Sequence, residues 1–273
     1  MRISFIEFLN AAPLGWGFLH GSLKGRHQIL FDVPSECARK LASGAADAGL
    51  IPVIEYQRIS GLRVVPGISI AARAEVRSVL FLSRKPIHDV QRVAVDVSSR
   101  TSVVLLKILL EEFHGCRGVD YVEFPPTPRT MLEEADAALL IGNPALAISR
   151  HGLYVYDLAA EWNRFTGLPF VFAFWAVREG VELAEAGGDF EQSRREGLQS
   201  IPFISEWYSS RLPISSPEIR QYLTGNLNYR LDEANLEGLR RYYDLAAKLG
   251  LIERRRPLEF VAVPSAAPAG PVS

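Results

Sequence analysis

Short apolar runs alternate with amphipathic stretches along the first two thirds of the chain. Apolar runs rich in Val, Ile and Phe are typical of buried strands, whereas apolar positions spaced three or four apart are typical of helices. The pattern predicts strands at 3–8, 29–33, 48–53, 62–65, 68–71, 76–83, 92–97, 119–123, 137–141, 154–158 and 168–178. It predicts helices from Pro34 to near Gly44, over 102–114 and near 129–134. Strands that alternate with helices favour an α/β fold with a mostly parallel sheet.

After Arg178 the pattern becomes helical throughout. An amphipathic stripe predicts a helix that packs on the core, with apolar positions at Leu236, Leu239, Tyr243, Ala246 and Leu249. Residues 264–273, rich in Pro, Ala and Gly, predict a disordered tail. Two strand–helix blocks, split near Lys85 and rejoined near Phe174, predict two lobes with a cleft between them. The helical C-terminal third would pack against the first lobe.

Composition and charge narrow the class of protein. The 273 residues are 48% hydrophobic and carry 30 basic and 31 acidic side chains, for a net charge of −1, so no overall field recruits nucleic acid or a membrane. Two cysteines, Cys37 and Cys116, make no disulfide framework, and 5 scattered histidines show no metal-ligand spacing. Glu7 lies where a secretion signal would have its apolar run, and no stretch is long enough to span a bilayer. We therefore expect a cytoplasmic protein.

A hydroxyl-rich turn joins the apolar strand at 92–97 to the apolar helix predicted after it. The start of a helix binds anions, because its first N–H groups lack partners and the dipole is positive there. The turn adds hydroxyls and a guanidinium, which suits carboxylates: Ser98, Ser99, Arg100, Thr101 and Ser102. Ser98 or Ser99 could simply be an N-cap, with Arg100 in solvent. Four hydroxyls and an arginine in 5 residues favour a bound anion.

Asn10 follows the first strand and precedes Pro13. Asparagine is among the best N-caps, and proline suits the first turn of a helix. An amide at the carboxyl end of a strand can instead face the cleft where open α/β sheets bind ligands. The sequence leaves both interpretations of Asn10 open.

A set of segments in a particular order runs through the chain. They are Phe8–Asn10 with Pro13 and Leu14, Leu41–Asp47 with Pro52, Ser78 with Val79, Ser98–Val103, Asp136–Gly142, Tyr156–Leu158, and Trp162 through Thr166–Ala173 to Trp175. On these segments taken jointly, the chain resembles the chorismate dehydratase family of the futalosine route to menaquinone, over nearly its whole length.

The resemblance implies an α/β, two-lobed, periplasmic-binding-protein-like (type II) fold with a ligand cleft between the lobes. The first lobe would comprise residues 1–83 and 178–273, and the second lobe residues 84–177. The chain would cross between the lobes at Ser78–Pro86 and at Phe172–Arg178.

The resemblance also implies the loss of water from chorismate, which gives 3-[(1-carboxyvinyl)oxy]benzoate. The ring becomes aromatic, so no cofactor is needed, and the protein must supply geometry and preorganised donors more than a strong base. The resemblance gives Asn10 the catalytic position. It places the substrate against Ser78, Ser98, Ser99, Arg100, Thr101, Ser102, Gly142 and Asn143.

The matching segments contain no obvious base. Our hypothesis is that Asn10 orients the reacting centre, since an amide barely takes a proton at neutral pH, while the enolpyruvyl carboxylate of the substrate helps to remove the proton. Glu55 and Asp47 are alternative bases, although each is better explained as a structural or surface carboxylate. The family commonly has Asp where this chain has Asn143, which weakens any role for a carboxylate there. Losing that charge beside a dianionic substrate should not harm binding.

Other classes of protein share parts of this pattern. A solute-binding protein for a small carboxylate has the same fold, but no signal segment is predicted at the N-terminus. The sister enzyme that forms 1,4-dihydroxy-6-naphthoate would favour a histidine base, and no histidine lies in the matching segments. A sensor lobe of a regulator would be accompanied by a DNA-binding segment, which the sequence does not predict.

Overall fold

The computed structural model describes residues 1–183 and 187–262, which form two β-sheets covered by helices. The strands are β1 (Arg2–Ile6), β2 (Gln28–Asp32), β3 (Ala48–Pro52), β4 (Leu62–Ala72), β5 (Val79–Ser83), β6 (Arg92–Asp96), β7 (Asp120–Phe124), β8 (Ala137–Ile141), β9 (Tyr154–Asp157), β10 (Phe170–Arg178) and β11 (Asn228–Leu231). Their order is β11-β4-β10-β3-β1-β2 in the first sheet and β7-β6-β8-β5-β9 in the second.

Helices flank both sheets. They are α1 (Ala12–Leu19), α2 (Pro34–Ser43), α3 (Val53–Arg58), α4 (Thr101–Ile108), α5 (Pro128–Glu134), α6 (Gly142–Ala147), α7 (Leu158–Thr166), α8 (Asp189–Gln199), α9 (Ile201–Ser209), α10 (Ser216–Gln221) and α11 (Glu233–Lys248). Short 3-10 turns lie at Leu9–Ala11 and Ile87–Asp89, and π-helical turns at Leu109–Phe113 and Tyr222–Asn226. No helix in the described part of the chain is long and apolar enough to cross a membrane.

The predicted strands are present, but the prediction of mostly parallel sheets is wrong. Strands β1 and β6 pair in parallel with their neighbours on both sides. Strand β10 is antiparallel to β3 and β4, β11 is antiparallel to β4, and β5 is antiparallel to β8 and β9. Both sheets are mixed, because β10 and β11 run against the other strands of the first sheet and β5 runs against the other strands of the second.

The predicted boundaries between the lobes need correction. Strand β5, assigned to the first lobe, pairs with β8 and β9 in the second sheet, and β10, assigned to the second lobe, lies in the first sheet. The chain therefore passes between the sheets at 73–78 and 158–169 rather than at the predicted crossings. Apolarity marks a buried strand but does not identify its pairing partner. We keep the division into two lobes as a proposal, with these two strands exchanged.

Strand β10 lies within the predicted strand 168–178, and its burial accounts for the apolar sequence there. Eight of its positions are buried, between β3 and β4 and beneath α11. Its Phe170, Phe174 and Trp175 are among the largest fully buried side chains. Burying one such side chain contributes about 1.5–3 kcal/mol, so this strand anchors the core of the first sheet.

The C-terminal part is not helical throughout, because β11 adds an edge strand to the first sheet. The predicted stripe lies on α11, where Leu239, Tyr243 and Ala246 are buried. Helix α8 packs on α1 and β4, and α11 packs on β10 and β11, as expected for a C-terminal part that covers the first lobe. The predicted disordered tail, 264–273, lies outside the described residues.

Candidate functional site

A cavity lies between the two sheets, at the carboxyl ends of β1, β3, β6 and β8. Open α/β sheets bind ligands at these strand ends. The cavity contains about 540 Å³ of space not filled by atoms, a volume that includes its open mouth. Apolar residues of both sheets form most of its wall, and its polar lining consists of Asn10, Ser78, Ser99, Arg100, Thr101 and Ser102.

The turn after β6 is shaped by a buried carboxylate. Asp96 is 1% exposed, and its Oδ1 accepts hydrogen bonds from the backbone N–H and the hydroxyl of Ser98, at 2.8 and 2.7 Å. Burial raises the pKa of Asp96, although the two bonds from Ser98 oppose that shift. Ser98 does not line the cavity; it holds the turn from behind instead of facing a ligand.

The hydroxyl of Ser99 is available to a ligand. Its Oγ is buried, lies at the cavity and has no hydrogen-bond partner among the described residues. Helix α4 starts at Thr101 with Arg100 in the N-cap position and no side-chain cap, so neither Ser98 nor Ser99 is the cap that the alternative interpretation required. A buried hydroxyl without a partner is costly, which a bound ligand would relieve.

Thr101 and Arg100 differ in how many hydrogen bonds they make within the protein. Thr101 Oγ1 accepts from the backbone N–H of Ile54 at 3.3 Å, and its carbonyl accepts from the Tyr242 hydroxyl at 3.0 Å. Among the described residues, the Arg100 guanidinium has only a long contact of 3.7 Å with an exposed Glu123 carboxylate. Thr101 therefore fixes the position of the helix start, while Arg100 keeps hydrogen bonds to offer an anion.

The structure decides between the two interpretations of Asn10. The residue lies inside the first 3-10 turn, and neither that turn nor α1 has a side-chain cap. The amide lines the cavity, and its Oδ1 is buried without a partner in the described ranges. The hydroxyl of Tyr229 donates to the Asn10 carbonyl at 2.9 Å and holds the backbone in place. Asn10 faces the cleft.

Ser78 lies where the chain first passes between the sheets. It is fully buried, its carbonyl accepts from the Gly142 N–H at 2.8 Å, and its Oγ is 2.7 Å from the hydroxyl of Tyr222. The preceding N–H groups of Val76 and Arg77 donate to the Asp157 carboxylate at 3.0 and 2.6 Å. Asp157 also caps α7, so one carboxylate fixes both passages between the sheets.

Gly142 and Asn143 bring the second sheet against the segment around Asn10. Gly142 has a left-handed φ of +64°, and a Cβ there would lie 2.7 Å from the Phe8 ring, so any other residue would strain the backbone and displace that ring. Asn143 does not line the cavity. Its Oδ1 instead accepts from the backbone N–H of Leu9 at 3.1 Å, and this bond joins the two sides of the cleft.

The cavity carries one cationic side chain, that of Arg100, and no carboxylate among its described lining residues. Glu55 pairs with Arg58 at 2.8 Å and Asp47 with Arg2 at 2.5 Å, and neither lines the cavity, as their structural interpretation predicts. Nowhere in residues 1–183 and 187–262 do three His, Cys, Asp or Glu side chains form a group that could hold a metal ion. Neutral donors beside one cation suit an organic anion.

Three buried tyrosines that support the cleft were missed by sequence reasoning. Tyr222, Tyr229 and Tyr242 contact Ser78, Asn10 and Thr101, respectively. Tyr229 was missed because the sequence was interpreted as helical throughout the C-terminal part, whereas Tyr229 lies on β11. The alternation of buried Leu227, Tyr229 and Leu231 with more exposed neighbours was the available signal for a strand.

The two mixed sheets, each flanked by helices and with the cavity between them, define an α/β fold of the periplasmic-binding-protein type. Solved structures agree on the fold. A protein of Archaeoglobus fulgidus matches with a TM-score of 0.73 at 20% identity, covering 92% of this chain and 98% of that one. The periplasmic aliphatic sulphonate binding protein of Escherichia coli matches with a TM-score of 0.62 at 18% identity, covering 100% and 97%.

Sequence comparison identifies the family. Residues 1–248 match the model of a family described as menaquinone biosynthesis. A chorismate dehydratase of Thermus thermophilus is 32% identical over 264 residues, which cover 90% of this chain and 93% of that protein. The chain belongs to the menaquinone biosynthesis family.

Proposed function

We propose that this protein is a chorismate dehydratase, a hydro-lyase that converts chorismate to 3-[(1-carboxyvinyl)oxy]benzoate and water on the futalosine route to menaquinone. The observation that carries the proposal is the cleft, where Asn10 Oδ1 and Ser99 Oγ are buried with no hydrogen-bond partner in the described part of the chain, at the same cavity as Arg100. The family and the named activity of the Thermus thermophilus relative support it.

The polar groups of the cleft match the needs of a dianionic substrate. Arg100, the hydroxyls of Ser99 and Ser102 and the start of α4 would bind one carboxylate. Asn10 and Ser78 lie at the same cavity and would orient the reacting carbon and the leaving hydroxyl. The C–H and C–O bonds of the ring break, the proton and hydroxide leave as water, and the electron pair of the C–H bond completes the aromatic ring.

The substrate itself would supply the base. No carboxylate or histidine stands among the described residues that line the cavity, and the Asn10 amide does not take a proton at neutral pH. The enolpyruvyl carboxylate is held close to the reacting carbon within the same molecule, and such proximity replaces much of the strength that a base would need.

Two alternatives receive less support. The 1,4-dihydroxy-6-naphthoate synthase interpretation favoured a histidine base, and no histidine lines this cavity in the described structure. A non-catalytic carboxylate-binding protein shares the fold, but the relative at 32% identity is named as an enzyme.

The test is incubation of the purified protein with chorismate, followed by mass spectrometry. We expect a product smaller than chorismate by one water, with the ultraviolet spectrum of a substituted benzoate. Asn10→Ala protein, prepared in parallel, controls for the spontaneous breakdown of chorismate. Binding of chorismate without any product would overturn the proposal in favour of a binding protein.

The site of action is part of the same proposal. We place the enzyme in the cytoplasm, with a small molecule and no nucleic acid or membrane as its partner, because a net charge of −1 provides no attraction to polyanions. Cell fractionation followed by immunoblotting would find the protein with cytoplasmic markers; recovery with periplasmic or membrane markers would contradict this location.

A further inference from the structure

The hydroxyls of Tyr222 and Ser78 form an isolated pair in the wall of the cleft. Their oxygens are 2.7 Å apart, and the two residues are 2% and 0% exposed. Tyr222 begins the π-helical turn 222–226, directly after α10. The C-terminal part of the chain thereby places a phenol behind a residue that lines the cavity.

The chemistry of the pair determines the direction of its hydrogen bond. Burial raises the pKa of Tyr222, so its hydroxyl keeps its proton. That hydroxyl has no other partner within the described ranges, and a buried O–H that donates to nothing is costly. A phenol is also a stronger acid than an alkyl alcohol and is therefore the better donor. The phenol proton must point at Ser78 Oγ.

The direction of this bond constrains Ser78. Once its Oγ accepts from the phenol, the hydrogen of Ser78 has to point elsewhere, and Ser78 lines the cavity. A serine hydroxyl alone can rotate to donate or to accept. If Ser78 donated to the phenol instead, it would present only lone pairs to an anion, which itself offers only acceptor oxygens.

We propose that Tyr222 is a positioning residue that fixes Ser78 as a hydrogen-bond donor to an oxygen of the substrate in the cleft. The inference rests on the proposed function, because it requires a substrate oxygen beside Ser78. A hydroxyl that accepts one hydrogen bond becomes a stronger donor of the next. Tyr222 therefore acts on the substrate through Ser78, without touching it.

The first experiment compares Tyr222→Phe with Tyr243→Phe. Tyr243 is 1% exposed, and its hydroxyl donates to the carbonyl of Val53 at 2.6 Å; neither of these two residues lines the cavity. Each variant loses one buried tyrosine hydroxyl together with its hydrogen bonding, so we expect similar falls in melting temperature. We expect kcat/KM for chorismate to fall about tenfold in Tyr222→Phe, the effect of one hydrogen bond, and to stay within about twofold in Tyr243→Phe. Equal losses of kcat/KM in both would overturn the proposal.

A double-mutant cycle with Ser78→Ala separates positioning from general support of the fold. If Tyr222 acts through Ser78, Tyr222→Phe should have almost no further effect on kcat/KM once Ser78 is Ala. The same tenfold loss in both backgrounds would overturn the proposal. If Ser78→Ala turns over too slowly to assay, the same cycle can be measured as the affinity for product, by calorimetry.

The unchanged protein separates failure of this inference from failure of the proposed function. Dehydration by the unchanged protein together with full activity in Tyr222→Phe would overturn the role of Tyr222 alone. No dehydration by the unchanged protein would overturn the proposed function and, with it, the role of Tyr222.

Discussion

Asn10 offers the cleft both a donor and an acceptor, and the protein uses neither. No side chain or backbone group in residues 1–183 and 187–262 bonds to its amide, while Tyr229 holds its carbonyl. The side chain therefore adds little to the stability of the fold. The hydrogen bond to its backbone carbonyl holds Asn10 in position, so its amide remains available to bind a ligand.

The first prediction concerns two variants of Asn10. Asn10→Asp should fold normally but lose turnover, because it brings a third negative charge against two substrate carboxylates and removes the N–H donor. Asn10→Ala should also lose turnover at unchanged melting temperature. Chorismate consumption and thermal unfolding measure both effects. Near-normal turnover in both variants would exclude an essential role for Asn10.

A second prediction separates Ser99 from Thr101. Ser99→Ala removes a hydroxyl that has no partner among residues 1–183 and 187–262, so the free energy of product binding should weaken by about 1–3 kcal/mol with stability unchanged. Thr101→Val removes the acceptor of the Ile54 N–H, so its main effect should be on stability. Calorimetric titration and thermal unfolding distinguish the two. Unchanged affinity in Ser99→Ala would mean that Ser99 does not contact the ligand.

At the scale of elements, Arg2 and Asp47 fix the start of β1 against the residue before β3. Asp47 accepts from the Arg2 N–H at 2.8 Å and from its guanidinium at 2.5 Å, and the Asp47 N–H donates back to the Arg2 carbonyl at 2.9 Å. The side-chain hydrogen bond from Arg2 holds the pKa of Asp47 below its usual value. A carboxyl with a lowered pKa stabilises the fold only while it is ionised.

The third prediction is therefore a pH dependence. Asp47→Asn should lower the free energy of unfolding at neutral pH, and the difference from the unchanged protein should shrink as the pH falls below about 4 and Asp47 becomes protonated. Denaturant unfolding at several pH values measures it. Asp120→Asn, in the exposed pair with Arg92 at 3.6 Å, is the control and should change stability little. A difference that does not depend on pH would contradict the role of the charge.

At the scale of the whole molecule, the cleft depends on close contact between the two sheets. Gly142, at the end of β8, lies against the Phe8 ring beyond β1, and the Asn143 side chain bonds to the Leu9 backbone. Asp157 ties together the two passages of the chain between the sheets. The geometry of the site is therefore a property of both halves together.

The fourth prediction tests this contact with two glycines. Gly142→Ala and Gly152→Ala both place a side chain at a left-handed φ, at +64° and +73°, which costs roughly 1–2 kcal/mol. Only at Gly142 does the new Cβ meet Phe8, since nothing lies within 4 Å of a Cβ at Gly152. We expect both variants to lose stability, Gly142→Ala more than Gly152→Ala because of the contact with Phe8, and a widened cleft with reduced kcat/KM in Gly142→Ala alone. Kinetics and small-angle scattering measure these, and equal kinetics in both variants would contradict the prediction.

The amino-acid sequence by itself predicted strands β1 to β10 and the polar turn of the cleft, Ser99 to Ser102. Local patterns suffice for these, because a buried strand needs an apolar run and an anion site at a helix start needs donors adjacent in the chain. The turn with Ser99 and Arg100 was found in this way.

Tertiary structure alone decided which strands pair, which way each side chain faces and what supports the cleft. β5 and β10 are equally apolar whichever sheet they join, so their exchange between sheets depends on partners far away in the chain. By residue type alone, asparagine is equally suited to capping a helix and to lining a cleft. In the folded chain the Tyr229 hydroxyl bonds to the Asn10 carbonyl, and the Asn10 amide lines the cavity. Tyr222 reaches Ser78 across 144 positions, a separation at which no local pattern carries information.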